Sequence, residues 1–235
     1  MKPNLDDMHH VITIAKQAGE KIMQIYQKDF SVEVKEDQSP LTEADLASHH
    51  LICGELSKLY PDIPILSEES ADTFNLSDEN ACYWCVDPLD GTKEFIKKND
   101  EFTVNIALIH NQQPILGVIG LPAKNSVYAA VKAEGAFKQQ GDNQLQKIRV
   151  KPQDSDNLIF AVSRSHLDDH TKAMVDEYQA EMVQAGSALK LAFVAEGLVD
   201  VYPALDQPCS GMWRQDSPSL KKPVGKCCGL KINNP

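Results

Sequence analysis

The sequence predicts an α/β protein in which helices and β strands build the core together. Two amphipathic helical patterns come first, and a series of β-rich runs follows between residues 103 and 131. Two acidic clusters, one at Glu68 and one that begins at Asp87, each follow a short apolar run typical of a strand. We therefore expect the chemistry of the chain to lie at these strand ends.

Length and composition indicate which classes of partner are excluded. Of the 235 residues, 42% are hydrophobic and 24% are charged, a balance typical of soluble globular proteins. A chain of this size buries about 70% of its surface on folding, so it needs no disulfides. The formal net charge of −11 repels polyanions, which disfavours nucleic acid as a partner. A small anion such as a phosphate ester would need bound cations, which clustered carboxylates can hold.

The start of the chain and its hydropathy pattern bear on location. Residues 1–10 mix acidic, basic and histidine side chains with no apolar stretch after them, so we expect no secretory signal. No run approaches the roughly 18 apolar residues of a membrane span. These patterns predict a cytoplasmic protein without integral membrane segments. They leave open loose attachment to the inner face of the inner membrane, and also the oligomeric state.

The first third of the chain predicts two helices and a short strand. Residues 5–28 carry apolar side chains at helical spacing. Thr42 and Asp45 have the spacing of a capping box, which predicts that a second helix begins near Thr42. Residues 65–66 then predict a short strand that ends at the acidic cluster of Glu68.

β structure dominates the middle of the chain. Residues 83–86 predict a strand that ends at Asp87. Consecutive antiparallel hairpins are predicted from three further runs, at residues 103–109, 115–119 and 127–131. The polar stretch at 140–157 is the predicted boundary between two lobes.

A second α/β unit is predicted after this boundary. A strand at 158–162 precedes helical patterns at 168–180 and 187–196. Gly197 is a typical helix stop, and residues 199–202 return to a strand pattern.

The cysteines allow two interpretations. Cys82 and Cys85 have the spacing of redox and zinc motifs. Such a role needs a second ligand pair or a helix start directly behind the motif, whereas these residues lie in an aromatic strand pattern. The favoured interpretation is therefore a pair of plain buried thiols.

The segment 87–92 is the most informative one. Asp87 and Asp90 flank a turn that Pro88 constrains, so their carboxylates can converge on a pair of cations. The Leu89 carbonyl can supply a further oxygen ligand. A plain surface turn is the alternative, because Asp-Pro and Asp-Gly are common turn dipeptides.

Carboxylates from other elements change the balance between these alternatives. Glu68 and Glu69 lie at another strand end, and Asp45 lies in the first turn of a helix. Carboxylates from separate elements are typical of an oxygen-ligated Mg²⁺ site. Each of them also has a structural alternative, since Asp45 completes a capping box and a glutamate can cap a helix.

Taken together, these segments resemble a known family. The pattern at residues 42–45, 66–69 and 84–96 resembles the inositol monophosphatase-like, lithium-sensitive phosphatase superfamily. Lys-Glu-Phe-Ile at 93–96 is similar to its 3′(2′),5′-bisphosphate nucleotidase branch, as are residues 101–108, 163–166 and 186–190. The resemblance runs from about residue 5 to Pro203. Asp100 stands where the branch usually has Gly, a difference that concerns only the local backbone conformation.

The resemblance implies a magnesium site with assigned ligands. Glu68, Asp87 and the Leu89 carbonyl would hold a first Mg²⁺, and Asp87 with Asp90 would hold a second. Asp45 would reach a third, more weakly held ion. A two-metal clamp agrees with the very slow uncatalysed hydrolysis of phosphate monoesters, because it activates water and stabilises both reacting oxygens.

The same resemblance implies the catalytic and substrate-binding residues. Thr92 and Glu68 would orient the attacking water, and Asp45 completes the catalytic set. The expected substrate contacts are Glu68, Leu89, Asp90, Gly91, Thr92, Ser187 and Lys190. The backbone at Gly91 and Thr92 can donate to a phosphate if a helix begins there. Ser163, Arg164 and His166 are weaker candidates, because a Ser-Arg-Ser-His segment at a strand end can equally be a capped turn.

The implied fold is a layered α/β/α/β/α sandwich of the inositol monophosphatase and fructose-1,6-bisphosphatase type. A metal-binding catalytic lobe would span residues 1–150 and a smaller lobe residues 151–205. The implied activity is Mg²⁺-dependent hydrolysis of the 3′-phosphate of adenosine 3′,5′-bisphosphate, with 3′-phosphoadenylyl sulfate as a second substrate, in sulfate assimilation. Two alternatives remain: an inositol or sugar phosphatase on the same scaffold, and a relic that binds metal or nucleotide without catalysis.

The tail at 206–235 departs from the family pattern. After Pro203 the branch continues with Gly-Pro-Thr, then Trp-Asp, then Ala-Ala-Gly, and that Asp binds metal; here no Asp follows Trp213. If the last base of each codon is joined to the first two of the next, the codons from Leu205 to Met212 permit the missing segment through Trp-Asp. We therefore predict that the tail is translated out of frame, by sequencing error or by mutation. A real mutation would remove one metal ligand and destabilise the second lobe.

Overall fold

The structure is a computed structural model of the 235-residue chain. It describes residues 2–28, 30–34, 40–70, 81–152, 157–164 and 167–203, without the side chains at 34 and 40. The tail at 206–235, with its predicted change of frame, lies outside the described residues. So do Ser165 and His166 of the segment that resembles the nucleotidase branch.

Two helices form the first layer of the fold. The first elements are α1 (Leu5–Tyr26), β1 (Val32–Val34), β2 (Pro40–Thr42) and α2 (Glu43–Leu59). The predicted capping box is confirmed: Thr42 Oγ1 accepts a hydrogen bond from the Ala44 N–H, and the Asp45 carboxylate accepts one from the Thr42 N–H at 2.8 Å. The hairpin of β1 and β2 was not predicted, because its strands are short. Among the described residues, no helix has both the length and the apolar character required to cross a membrane.

A mixed sheet of seven strands, here called the large sheet, forms the second layer. Its strands are β3 (Ile65–Ser67), β4 (Cys82–Asp90), β5 (Thr103–His110), β6 (Gln113–Leu121), β7 (Ser126–Val131), β8 (Gly135–Gln140) and β9 (Gln146–Ile148), and α3 (Thr92–Ile96) follows β4. The strands lie side by side in chain order, antiparallel throughout except that β3 is parallel to β4. The predicted hairpins are confirmed. β9 lies inside the polar stretch that was predicted to be a boundary. It was not predicted, because a short, largely exposed strand carries no apolar signal.

An apolar core joins α1 and α2 to the large sheet. Val11 and Ile22 of α1 and Ile52 of α2 are buried against strand residues such as Trp84 and Ile106. Burying one large apolar side chain contributes about 1.5–3 kcal/mol. This core therefore gives the ends of β3 and β4 a rigid support.

The remaining layers follow on the other face of the large sheet. They are built from β10 (Ile159–Ser163), α4 (Asp169–Tyr178), β11 (Glu181–Ala185) and α5 (Leu189–Glu196). On the large sheet, α5 packs Leu189 against Ile119 and Tyr128. The parallel pair of β10 and β11, here called the small sheet, contacts α5. On this sheet α4 packs Val175 against Phe160 of β10. The resulting order of layers is α/β/α/β/α, as the family resemblance implied.

Most of the predicted elements after the boundary are confirmed. The helices at 168–180 and 187–196 correspond to α4 and α5. At the end of α5, Gly197 has a φ of 77°, a left-handed conformation that glycine adopts without strain. The predicted strand at 199–202 is reduced to a single parallel bridge between Phe160 and Val201. Cys82 and Cys85 are free thiols, and Cys85 is buried.

Candidate active site

The two predicted acidic clusters meet where two parallel strands end. β3 and β4 run side by side, and the Glu68 N–H donates to the Val86 carbonyl at 3.0 Å. Parallel strands end at the same edge of a sheet, so Glu68 comes to lie beside Asp87. The two carboxyl groups are close enough for the charge of Glu68 to raise the pKa of Asp87. The expectation that the clusters act together is thus consistent with the geometry.

β4 continues past the point where it was predicted to end. Asp87 pairs with Asn105 and Asp90 pairs with Thr103, so β4 has one more residue than β5 over this stretch, which is a β-bulge. Pro88 has no N–H to donate to the ladder, and the regular pairing therefore lapses there. The segment is the bulged end of a strand, and the prediction of a turn directly after residue 86 was wrong.

The carboxyl group of Asp87 is strongly destabilised as an anion. Its Oδ1 is buried and has no hydrogen-bond partner among the described residues, although the residue as a whole is partly exposed. Burial raises the pKa of Asp87 well above its usual range, and the charges of Glu68 and Asp90 raise it further. A bound cation would offset both effects, because it would supply the missing partner for the buried oxygen.

The donor set at these strand ends fits magnesium. The groups present are carboxylates, in the pairs Glu68 with Asp87 and Asp87 with Asp90, and the carbonyl of Leu89. Over the described ranges, no three Asp, Glu, His or Cys side chains stand together as a complete ligand cage. Mg²⁺ usually keeps several waters and takes only one or two carboxylates from a protein, so paired carboxylates suffice for it.

Thr92 and Asp45 form a second polar pair beside these carboxylates. Thr92 is the first residue of α3, and its Oγ1 lies 3.2 Å from Asp45 Oδ1 and 3.3 Å from the Leu89 carbonyl. The other oxygen of Asp45 accepts hydrogen bonds from the Thr42 N–H at 2.8 Å and the Thr42 hydroxyl at 2.6 Å. The capping role of Asp45 and its proposed role in the site therefore do not exclude each other.

Asp90 connects the large sheet to the loop before α5. Its Oδ2 accepts hydrogen bonds from the Ala188 N–H at 2.8 Å, the Thr103 hydroxyl at 3.3 Å and the Asn105 amide at 3.4 Å. Burial raises the pKa of Asp90, and the positive charge of Lys190 opposes that rise. Although distant in sequence, the second unit thus reaches the strand-end carboxylates directly.

Ser187 and Lys190 both lie close to Asp90. The Ser187 hydroxyl is within hydrogen-bond distance of the Asp90 carbonyl, at 3.0 Å. Lys190 is buried, with its Nζ 2.9 Å from the Ser187 carbonyl and 5.3 Å from the centre of the Tyr202 ring. Burial lowers the pKa of Lys190, while Asp90 and nearby glutamates act in the opposite direction. The structure therefore places both predicted substrate residues against the end of β4 that carries Asp90.

Asp100 adopts the conformation that glycine would favour. Its φ is 64°, in the left-handed region that Asp tolerates better than most residues. The Tyr26 hydroxyl donates to Asp100 Oδ1 at 2.8 Å, and the Asp100 N–H lies 3.3 Å from the Tyr26 hydroxyl oxygen. The side chain thus provides a contact that glycine cannot make.

Comparison with known proteins finds relatives over most of the chain. The pattern of the inositol monophosphatase family matches residues 5–213. A 3′(2′),5′-bisphosphate nucleotidase CysQ of Escherichia coli (strain K12) is 42% identical over 199 residues, covering 83% of this chain and 79% of that protein. The protein of the same description from Haemophilus influenzae is 38% identical over 210 residues, covering 88% of this chain and 77% of its own length.

Solved structures with the same arrangement of elements agree with this comparison. The crystal structure of CysQ from Bacteroides thetaiotaomicron has a TM-score of 0.70 at 36% identity, with 85% of this chain and 80% of that chain covered. A Thermotoga maritima IMPase has a TM-score of 0.70 at 27% identity, with 84% of this chain and 75% of that chain covered.

Proposed function

Because this chain belongs to the inositol monophosphatase family, we propose that it is a Mg²⁺-dependent 3′(2′),5′-bisphosphate nucleotidase. It would hydrolyse the 3′-phosphate of adenosine 3′,5′-bisphosphate to give AMP and phosphate, and would also accept 3′-phosphoadenylyl sulfate. The similarity to nucleotidases of that description supports the substrate class. The observation that carries the mechanism is the pair of strand ends that hold Glu68, Asp87 and Asp90 together, with one buried oxygen of Asp87 unpartnered.

The proposed ligands would serve two main ions and a third, weaker one. Glu68, Asp87 and the Leu89 carbonyl would hold one Mg²⁺, Asp87 with Asp90 would hold a second, and Asp45 would reach the third. When bound, such ions lower the pKa of water and neutralise charge on the phosphate oxygens. The like charges of the carboxylates, which oppose folding without a cation, are then balanced.

Thr92, Asp45 and Glu68 orient the attacking water in this proposal. The Thr92 hydroxyl donates its proton to Asp45 Oδ1 or to the Leu89 carbonyl, both within 3.3 Å, so its lone pairs are free to accept from water. The carboxylate of Glu68 is the second acceptor. A water held by two acceptors has its remaining lone pair directed at the phosphorus, which lowers the entropic part of the barrier.

The substrate contacts come from both sides of the site. Gly91 and Thr92 are assigned to the scissile phosphate through their backbone N–H groups, together with the ligands Glu68, Leu89 and Asp90. Ser187 and Lys190 are assigned to the nucleotide and its second phosphate, because a buried ammonium near the site favours anions. We further propose that residues 1–150 and 151–205 form the two lobes between which the substrate lies.

The proposed cellular role follows from the proposed substrate. We place the enzyme in the cytoplasm, in sulfate assimilation, where adenosine 3′,5′-bisphosphate must be removed. Cell fractionation separates this location from attachment at the inner face of the inner membrane. The second candidate activity is an inositol or sugar phosphatase, since solved family members at lower identity include an IMPase.

A phosphate-release panel tests the proposal. Release from adenosine 3′,5′-bisphosphate should require Mg²⁺, stop in EDTA, fall in millimolar lithium and exceed release from inositol 1-phosphate. Equal rates on both substrates would favour the general phosphatase. No release from any phosphate ester, by a folded chain, would favour a catalytically inactive relic. Insensitivity to lithium would count against the proposed ion positions.

A further inference from the structure

Three chain segments meet beside Asp90, and we call this place the junction. They are Asp90 and Gly91 at the end of β4, Glu101 before β5, and residues 186–188 before α5. The Glu101 carboxylate accepts two hydrogen bonds from Arg164, at 2.8 Å from Nε and 2.6 Å from Nη2. It also accepts the Gly186 N–H at 2.9 Å. A single carboxylate thus ties the ends of both strands of the small sheet to the large sheet.

The packing at the junction leaves no room for extra atoms. A Cβ added at Gly91 would lie 2.1 Å from Ser187 Oγ, and one added at Gly186 would lie 3.2 Å from the Cβ and Oε2 of Glu101. The Ser187 hydroxyl is also 2.9 Å from the Glu101 carbonyl. These close approaches require the segments to keep a fixed relative position.

We propose that Glu101, held by Arg164, is a positioning residue for the metal ligand Asp90. Its bond to Gly186 fixes the loop whose Ala188 N–H donates to Asp90 Oδ2. Within the part of the chain that the structure describes, the hydrogen bonds to the Asp90 carboxylate all fall on Oδ2, so Oδ1 is the oxygen that we assign to a cation. The inference rests on the proposed function only in taking Asp90 as a ligand.

The Glu101–Arg164 pair differs from an ordinary surface salt bridge. The Arg164 side chain is 45% exposed, but that of Glu101 is only 13% exposed and also accepts a main-chain N–H. Bidentate, charge-assisted bonds to a fixed carboxylate are stronger and more directional than exposed pairs. The guanidinium is therefore occupied by Glu101, and we assign it to alignment of the site, not to the substrate phosphate.

Binding of Mn²⁺ to the full chain, without substrate, tests this role by calorimetry. We compare the wild type with Glu101→Gln, Arg164→Gln and the double variant. Loss of a residue that orients a metal ligand typically weakens metal binding by about 10- to 100-fold, so each single variant should bind Mn²⁺ at least about tenfold more weakly. The double variant should be no weaker than the singles, because both changes break the same contact. Glu55→Gln, which breaks the exposed pair with Lys58, should bind like the wild type.

Several outcomes would overturn the inference. Circular dichroism first establishes that each variant is folded. If Arg164→Gln is not folded, Arg164→Lys takes its place, because it keeps the charge without the bidentate bond. Its Mn²⁺ affinity should lie between those of the wild type and Glu101→Gln. Wild-type Mn²⁺ affinity in the folded single variants contradicts a positioning role. A raised KM for adenosine 3′,5′-bisphosphate in Arg164→Gln, with Mn²⁺ affinity unchanged, assigns Arg164 to the substrate instead. If the wild type binds Mn²⁺ but releases no phosphate, the nucleotidase proposal fails while the Mn²⁺ series still decides the role of Glu101.

Discussion

The large and small sheets approach the same site in different ways. The large sheet presents carboxylates from strand ends that are anchored by the core beneath α1 and α2. The small sheet and α5 present backbone N–H groups and Lys190, and the buried apolar cluster of the small sheet is limited to residues such as Phe160 and Val175. Electrostatic strain is thus concentrated where packing can support it. The second unit is held to the large sheet by the apolar contact of α5 and by the hydrogen bonds at the junction.

Removal of a strand-end carboxylate should have the largest effect. Asp90→Asn and Glu68→Gln keep the side-chain shape but remove a charged ligand, so kcat should fall by at least about a hundredfold, as expected when several kcal/mol of transition-state stabilisation are lost. Steady-state kinetics with adenosine 3′,5′-bisphosphate measures this. Asp142→Asn, at a fully exposed carboxylate paired with Lys16, is the matched control and should change nothing. Folded ligand variants with near-normal rates would refute the assigned roles.

Two Gly→Ala variants, one at the junction and one in α2, should have opposite effects on the free energy of unfolding. Gly91→Ala meets Ser187 at 2.1 Å and needs a φ of 92°, so it should lower the free energy of unfolding by about 1–3 kcal/mol. Gly54→Ala adds its Cβ in α2 where no atom lies within 4 Å, and should instead stabilise the chain by up to about 1 kcal/mol. Urea denaturation of both variants makes the comparison. Equal effects of the same sign would show that the junction tolerates movement.

Truncation of the buried ammonium should affect substrate binding more than turnover. Lys190→Ala should raise KM about tenfold with a smaller change in kcat, the pattern of lost uniform binding. Lys172→Ala, at an exposed position of α4, is the control for charge alone. A fall in kcat at constant KM would move Lys190 from substrate binding to the catalytic step.

The smallest effect is expected at the contact between Tyr26 of α1 and Asp100, on the large-sheet side of the comparison. Burial and the hydrogen bond to Asp100 raise the pKa of Tyr26 to about 12, against about 10 in an unfolded chain. In the folded state the Tyr26 hydroxyl therefore keeps its proton to a higher pH than in the unfolded chain. The stabilisation that this contact contributes is present below about pH 10 and is lost as the pH rises toward 12. Between about pH 9 and 11, the free energy of unfolding should fall less for Tyr26→Phe than for the wild type. An equal fall in the free energy of unfolding of both proteins would exclude a stabilising role for this contact.

The parts of the fold that the sequence predicted are those with local signals. The capping box at Thr42, the apolar periodicity of residues 5–28 and the helix stop at Gly197 each depend on neighbours within a few positions. The meeting of Glu68 with Asp87 was also predictable, because family resemblance assigned both to one site. β1, β2 and β9 were missed because their strands have only three residues each.

The parts that were missed depend on contacts between distant segments. Asp-Pro is common in turns, so nothing local indicated that β4 continues through Pro88 as a bulge held by its pairing with β5. Glu101 contacts Gly186, 85 positions later, and a single glutamate in a loop carries no signal of such a partner. The glycines at 91 and 186 were the available hint, since a glycine beside site residues often marks a close approach.

The response of the full chain to Mg²⁺ tests most directly the claim that the strand-end carboxylates are held together for a cation. In metal-free buffer, Asp87→Asn should have a higher Tm than the wild type, because it removes a buried charge beside Glu68 and Asp90. Added Mg²⁺ should raise the Tm of the wild type and leave that of Asp87→Asn nearly unchanged, reversing their order. A wild-type Tm that does not respond to Mg²⁺, or an equal increase in both proteins, would contradict the account.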